Sequence, residues 1–324
     1  MTDAALDLLV VGDCNPDVLV LGGDVTPAFG QQEKLVASIS LVVGGSAAIT
    51  AVVAARLGLR VALAAAIGDD PAGSFMLAQL SSAGVETSLV LIRPGMPTGM
   101  TVALARGGDR AILTATGAIT TLTAADVPAC FVQRARHLHV SSYFLLAETL
   151  GPGLPALFAA ARAAGATTSI DTNWDPAGRW GDPNLHAALA QADLLLPNEE
   201  EVQRLSGRPT VAAAVAALTN AGPAVVVKQG PRGALCADGR QVRLVSPPEG
   251  PPGEFVDATG AGDCFNAGLV AGLCQGLDLP GAVALGCAVG AASTRGAGGT
   301  AAVPDLPTAL RLAQTVRIEP APGG

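Results

Sequence analysis

The sequence predicts an α/β protein with a mostly parallel central sheet flanked by helices, and three observations carry that expectation. Short apolar runs alternate with Ala-rich stretches of helical character, the order that builds a parallel sheet covered on both faces. The runs are apolar almost throughout, as strands buried on both faces must be. Polar residues follow run after run, so they gather at the carboxyl edge, where open α/β sheets bind their ligands. Half of the 324 residues are hydrophobic and few are aromatic, which provides for a large core built from Ala, Val and Leu.

Taken in order, Leu8–Val11 is the first buried strand, ended by Gly12-Asp-Cys-Asn-Pro-Asp17. Val18–Leu21 and Lys34–Val43 are two extended segments separated by Gly, Pro and polar residues. Ser46–Leu57 is a helix stopped by Gly58, Val61–Ala66 the next strand, and Ala72–Ala83 a helix stopped by Gly84. Thr98–Ala105 and Arg110–Ala115 are β-rich and flank Gly107-Gly108-Asp109, which predicts a hairpin. Then His137–Ser141, Thr167–Asp171, Asp193–Pro197 and Val225–Lys228 read as short buried strands. The groups Asp13–Asp17, Ser141–Ser142, Asp171–Asn173, Asn198–Glu201 and Gly230–Gly233 each follow a strand and therefore converge on one edge. The tail after Arg317 is expected to fray.

Composition excludes several classes of function. A net charge of −8 argues against a nucleic-acid-binding surface, although one local turn can still hold a phosphate on an acidic protein. The six cysteines form no C-x-x-C pair and no metal-ligand spacing, so buried reduced thiols in a cytoplasmic protein are the simpler reading. His137 and His139 flank a single Leu and fit a strand better than a metal site. Leu41–Ala55 and Leu279–Thr294 are too short and too polar to span a membrane, and Met1–Asp7 lacks the features of a signal peptide. The expectation is a soluble protein with no membrane partner. No G-x-x-x-x-G-K-[ST], H-E-x-x-H or G-x-S-x-G occurs, and no G-x-G-x-x-G follows the first strand.

The chemistry concentrates in Asp257-Ala-Thr-Gly-Ala-Gly-Asp-Cys-Phe-Asn-Ala-Gly268. Two glycines run into Asp263 and a small-residue apolar segment follows, the pattern of a tight turn opening a helix. Free amides at a helix start attract an anion, and a carboxylate beside them repels it unless it is there to accept a proton. Together they suggest phosphoryl transfer to a hydroxyl. A plain Gly-rich turn with a dipole-stabilised Asp is the alternative.

This segment resembles the second signature of the ribokinase-like (PfkB) carbohydrate kinases, D-x-T-G-A-G-D-x-F, at every fixed position, and the resemblance extends from Gly12 to about Pro304. It implies a three-layer ribokinase-like fold over residues 1–324, with a small β-sheet lid from about 17–43 and 97–118 that often forms a dimer interface. It implies Asp263 as general base, with the amides of Gly260, Ala261 and Gly262 as the anion hole. Asn15 and Asp17 match the family's N-x-D and would hold sugar hydroxyls, with Asp13 in the same loop; an Asx turn around Pro16 explains the same residues. Gly44-Gly45 match the first signature, where backbone meets substrate, yet Ile49 stands where the family usually has a sugar-contacting Asn.

On the nucleotide side, Asn198 and Glu201 match N-x-x-E, with Glu201 serving Mg²⁺ through water; the same pair also fits a helix capping box. Lys228, Gly230 and Gly233 resemble the strand and loop beside the nucleotide, and Asn173 lies in a D-x-N segment facing the cleft. Ala292–Gly299, with Asp257 and the carbonyl of Thr259, resembles the family's monovalent-cation loop, which makes K⁺ activation an open expectation beside ATP and Mg²⁺. The implied activity is ATP-dependent phosphorylation of a hydroxymethyl group on a small sugar, with a nucleoside kinase or a non-catalytic ligand-binding relative as alternatives. No Tyr-Arg-x-x-Ser-Ala lid motif for a sugar acid is present, and only Arg106 and Arg110 are basic in the second lid hairpin.

Overall fold

The computed structural model describes residues 5–106, 109–250 and 253–321. Its strands are β1 Leu6–Val11, β2 Asn15–Leu21, β3 Ser38–Gly44, β4 Val61–Gly68, β5 Val90–Arg93, β6 Met100–Arg106, β7 Asp109–Ala115, β8 Ala135–Ser141, β9 Thr167–Asp171, β10 Leu194–Leu195, β11 Ala224–Lys228, β12 Ala234–Ala237, β13 Val242–Val245 and β14 Ile318–Pro320. Ten of them form one sheet in the order β14-β13-β12-β11-β10-β9-β8-β1-β4-β5. The strands from β11 to β5 in that order are parallel, and β12, β13 and β14 continue the sheet antiparallel. This is the mostly parallel, helix-flanked sheet that the alternation of apolar runs and helices predicts.

Both faces of the large sheet are covered, and alternate residues of one strand serve opposite cores. Leu9 and Val11 pack with helices Leu154–Ala163 and Val211–Thr219, while Leu8 and Val10 pack with helices Ser46–Arg56, Ala261–Cys274 and Leu279–Ser293. The second cluster is largely Val, Ala and Leu, and glycines between helices Ala261–Cys274 and Leu279–Ser293 let them approach closely. A Cβ built on Gly268 would come within 2.9 Å of the Leu285 carbonyl and of Val289.

The second sheet has the order β3-β2-β6-β7, with β2 and β6 parallel and the outer pairs antiparallel. It consists of the two segments expected to form the lid. Of the stretch Lys34–Val43 expected to be extended, only the part from Ser38 is in a strand, β3 Ser38–Gly44, and residues from Lys34 to Ala37 are irregular. The hairpin strands β6 and β7 pair as expected, while Gly107 and Gly108 of its turn lie outside the described residues.

Several short strands escaped the sequence reading. β5, β12 and β13 are four residues each, too brief to show a period. The strand expected over Asp193–Pro197 contracts to Leu194–Leu195. Part of the tail expected to fray is instead a strand: β14 pairs with β13 through Val245↔Ile318 and Leu244↔Glu319, and the Ala321 amide reaches the Val242 carbonyl at 2.9 Å, while residues 322–324 lie outside the described residues. An edge strand with unpaired backbone groups accepts such a segment whatever its side chains.

Candidate active site

The carboxyl edge of the parallel strands does gather the polar groups expected there. The central piece is the turn before helix Ala261–Cys274. Gly260 is the N-cap with φ 73°, a left-handed conformation, and a Cβ there would lie 2.6 Å from the Gly299 Cα. Glycine is therefore required for both conformation and space. The Ala261 amide touches the Ala258 carbonyl at 3.2 Å, and the remaining first-turn amides have no partner within the helix by its geometry.

Asp263 follows in the first helical turn and is buried. Loss of solvent pushes its pKa up to about 7, with the nearby Asp171 and Asp13 carboxylates pushing the same way and Lys228 opposing them. Its backbone carbonyl accepts the Thr50 hydroxyl at 3.4 Å. Ile49, at the position expected to contact substrate, lies against this turn. Its side chain packs beneath the turn, within 3.2 Å of where a Cβ would stand on Gly260 and 2.9 Å of that position on Gly299.

The predicted polyol side comes from β2, the loop before it and the start of helix Ser46–Arg56. Asn15 donates through Nδ2 to Asp17 Oδ1 at 3.1 Å and to Thr101 Oγ1 at 3.2 Å, which joins β2 to β6. Asp17 is buried, and desolvation, then the Asp13 charge, raises its pKa to about 7, while Arg110 opposes the rise. Asp17 presses on Gly44 so closely that a Cβ there would fall 1.9 Å from its Oδ1. Asp13 is engaged with the protein itself: its carboxylate accepts the Ser46 and Ala47 amides at 3.1 and 2.9 Å, capping the helix. Gly45, with φ 77°, turns the chain over the Asp13 carbonyl and Asn15. Asn173 has φ 55°, accepts the Ser142 amide at 2.8 Å and donates to Ser46 Oγ at 2.9 Å.

On the other side, Asn198 and Glu201 form a reciprocal capping box. Asn198 Oδ1 accepts the Glu201 amide at 2.9 Å, and Glu201 Oε2 accepts the Asn198 amide at 2.8 Å. Glu201 is buried, and desolvation followed by the Asp171 charge raises its pKa to about 7. Lys228 pairs with Asp171 and so is not a free ammonium. Gly230 has φ 57° and open space around it, whereas a Cβ on Gly233 would strike the Val245 carbonyl at 2.1 Å. Gly233 is thus held by packing against β13. Asp257 ties two loops together, accepting the Thr259 amide and hydroxyl at 3.0 and 2.9 Å and the Gly298 amide at 2.9 Å.

Among the described residues, no group of three or more His, Cys, Asp or Glu is arranged to hold a metal ion. The oxygens present suit a cation shared with phosphates and water, since Mg²⁺ needs only one or two carboxylates in that setting.

Comparison with known proteins now decides the family. Residues 5–306 match the pfkB family carbohydrate kinase. The chain belongs to that family. The kinase is 30% identical over 278 residues to the 2-dehydro-3-deoxygluconokinase of Bacillus subtilis (strain 168), covering 80% of this chain and 82% of that one. It is 34% identical over 241 residues to the fructokinase of Klebsiella pneumoniae (71% and 76%) and 29% identical over 242 residues to a nucleoside kinase of Methanothermobacter thermautotrophicus (73% of each). Among solved structures, an E. coli protein described as a ribokinase II, in complex with ATP and Mg²⁺, superposes with TM-score 0.82 at 24% identity, covering 95% of the kinase and 99% of its own chain. A fructokinase double mutant from Vibrio cholerae, with fructose, ADP and potassium bound, gives TM-score 0.79 at 26% identity (96% and 99%). The kinase is therefore a phosphotransferase of the sugar-kinase type.

Sequence reasoning gave no role to three groups that the fold brings to this kinase's site. Asp171 and Asn266 were visible only as members of longer motifs, and Ser46 only as a helix start. No spacing rule connects them, because they meet through β9 and two separate helices.

Proposed function

We propose that the chain transfers the γ-phosphoryl group of ATP to a hydroxymethyl group of a small sugar, with Asp263 as general base. The observation that carries this reading is a buried carboxylate in the first turn of a helix whose N-cap is a left-handed glycine. The acceptor hydroxyl gives its proton to Asp263 Oδ as its oxygen attacks Pγ. The O–P bond forms while the bond from Pγ to the β–γ bridging oxygen breaks, and ADP leaves. The amides of Gly260, Ala261 and Gly262 meet the charge that develops on the transferred group. A base pKa of about 7 suits this role, because a large share of the carboxylate is ionised, and still basic, near neutral pH.

Asp17, Asn15 and Asn173 hold acceptor hydroxyls, with Gly44 and Gly45 as the close backbone wall. Asp13 acts through the helix start that it caps. Asn198, Lys228, Gly230 and Gly233 border the nucleotide, and Glu201 would bind Mg²⁺ through water. Mg²⁺, when bound, neutralises charge on the polyphosphate. Asp257 and the Thr259 carbonyl are the residues we assign to K⁺. The outer face of the second sheet carries the exposed Ile39, Leu41 and Leu113, which supports its use as a homodimer interface as well as a lid. Six free cysteines fit a reducing, cytoplasmic setting.

A nucleoside acceptor is the second reading, favoured by the 29% identity to the archaeal nucleoside kinase. The test is a coupled ADP-release assay across pentoses, hexoses, sugar acids and nucleosides. Turnover with a sugar is expected, falling on the order of 10²–10⁴-fold in Asp263→Asn. ATP binding without turnover on any acceptor would leave a non-catalytic binding protein.

A further inference from the structure

Asp171 closes β9 at the carboxyl edge, fully buried, and three parts of the site meet on its carboxylate. Oδ2 accepts Lys228 Nζ from the end of β11 and Asn266 Nδ2 at 2.6 Å. Oδ1 accepts the Asn173 amide at 3.3 Å. Asn266 lies about one helical turn beyond Asp263, on the same side of the helix. Lys228 Nζ stands 3.6 Å from where a Cβ would project on Gly262, so the ammonium sits against the anion turn with only 14% of its side chain exposed.

A buried ion pair survives when further hydrogen bonds satisfy both partners, and Asn266 and Asn173 provide them for the carboxylate. The strands behind it supply no competing charge. His137, Ser169, His139 and Ser141 form a hydrogen-bonded stripe along β8 and β9, through His137 Nε2···Ser169 Oγ at 2.7 Å, Ser169 Oγ···His139 Nδ1 at 2.7 Å and His139 Nε2···Ser141 Oγ at 2.9 Å. Both imidazoles are kept neutral by burial.

We propose that Asp171 is a positioning residue for phosphoryl transfer: it aims the Lys228 ammonium at the Gly260–Asp263 turn, and the pair together balances the charge around the base. This inference rests on Asp263 being the base. The groups that face Asp263 are Asp171 from β9, Lys228 from β11, Asp13 from the loop after β1 and the Ser46 hydroxyl from helix Ser46–Arg56. Glu201 feels the same Asp171 and Lys228 charges from the nucleotide side. Removing the charge of Asp171 leaves Lys228 uncompensated beside Asp263, and removing Lys228 leaves Asp171 and Asp13 acting alone. The two losses must therefore act on the base in opposite senses.

The experiment is the pH profile of kcat/KM for the wild type, Asp171→Asn, Lys228→Met and the double variant. The acidic limb is expected to move down by about one pH unit in Asp171→Asn, up by a similar amount in Lys228→Met, and to return between them in the double variant. Limbs that move together, or not at all, overturn the proposal. If Asp171→Asn does not fold, the double variant, which buries neither charge, takes its place, and its limb must lie below that of Lys228→Met. If turnover is too slow in any variant, the Asp263 carboxyl ¹³C titration, assigned by difference from Asp263→Asn, must shift in the same directions. Full turnover in Asp263→Asn would instead remove the base assignment itself, a result distinct from failure of the opposite shifts.

Discussion

At Asp263, function and stability pull against each other. Its folded pKa of about 7 lies above the ordinary carboxylate value, so the native state holds this proton more tightly than the unfolded chain. For such a group stability is lost as pH rises from near 4 to about 7 and then levels off. Asp263→Asn removes that penalty. Thermal melting of the ligand-free protein should show the variant gaining little near pH 4 and progressively more up to pH 7, while turnover is lost. Gly260 offers a second residue-scale prediction. Alanine there would need a left-handed conformation, costing about 1–2 kcal/mol, and would place its Cβ against the Gly299 backbone. Gly260→Ala should lower kcat at least tenfold while leaving ATP binding, read by calorimetry, less affected, because the displaced amides serve the transferred group.

At the scale of elements, helix starts are the most consistent feature of the chain. Asp70, Asp182, Asp278 and Asp305 each accept an amide of the first turn of their own helix, and each of those helices begins with Pro within its first two positions. Capping is local chemistry, completed within three residues of each start. Asn198 and Glu201 add a reciprocal box to the helix Glu199–Ser206, on the side proposed above to border the nucleotide. Asn198→Ala should therefore destabilise by about 1 kcal/mol and also raise the KM for ATP. Unchanged KM beside a lowered melting temperature would confine the residue to capping. Strands shorter than five residues were not readable, since β5, β12 and β13 give too few positions to establish a period, and backbone pairing places them.

At the scale of the whole molecule, the second sheet turns one face toward the site through Asp17 and Thr101 and the other toward solvent with Ile39, Leu41 and Leu113. The register places Val20 opposite Ile39 and Val102 opposite Leu113, so these side chains form a band across both outer strands. Light scattering should report a dimer, and Ile39→Lys with Leu113→Lys should give a monomer. A wild-type monomer would limit this sheet to covering the site. Arg110 links the sheet to the catalytic side by donating to the Ala258 carbonyl at 3.2 Å, two residues before Gly260. It also borders a cavity of about 470 Å³ with Arg106, Phe255 and Val256.

The sequence by itself determined the layer architecture, the helix beginning at Ser46 and the Gly260–Asp263 turn, because these follow from hydrophobic period and from contacts within a few residues. It also gave the pairing of Asn198 with Glu201, three positions apart. Only the tertiary structure decided that Lys228 is held by Asp171, that Ile49 packs under Gly260, that Asp13 caps the helix at Ser46, and that Ile318–Pro320 completes the sheet. Each of those contacts joins segments far apart in the chain. Their partners are chosen by packing and burial, which no local pattern records.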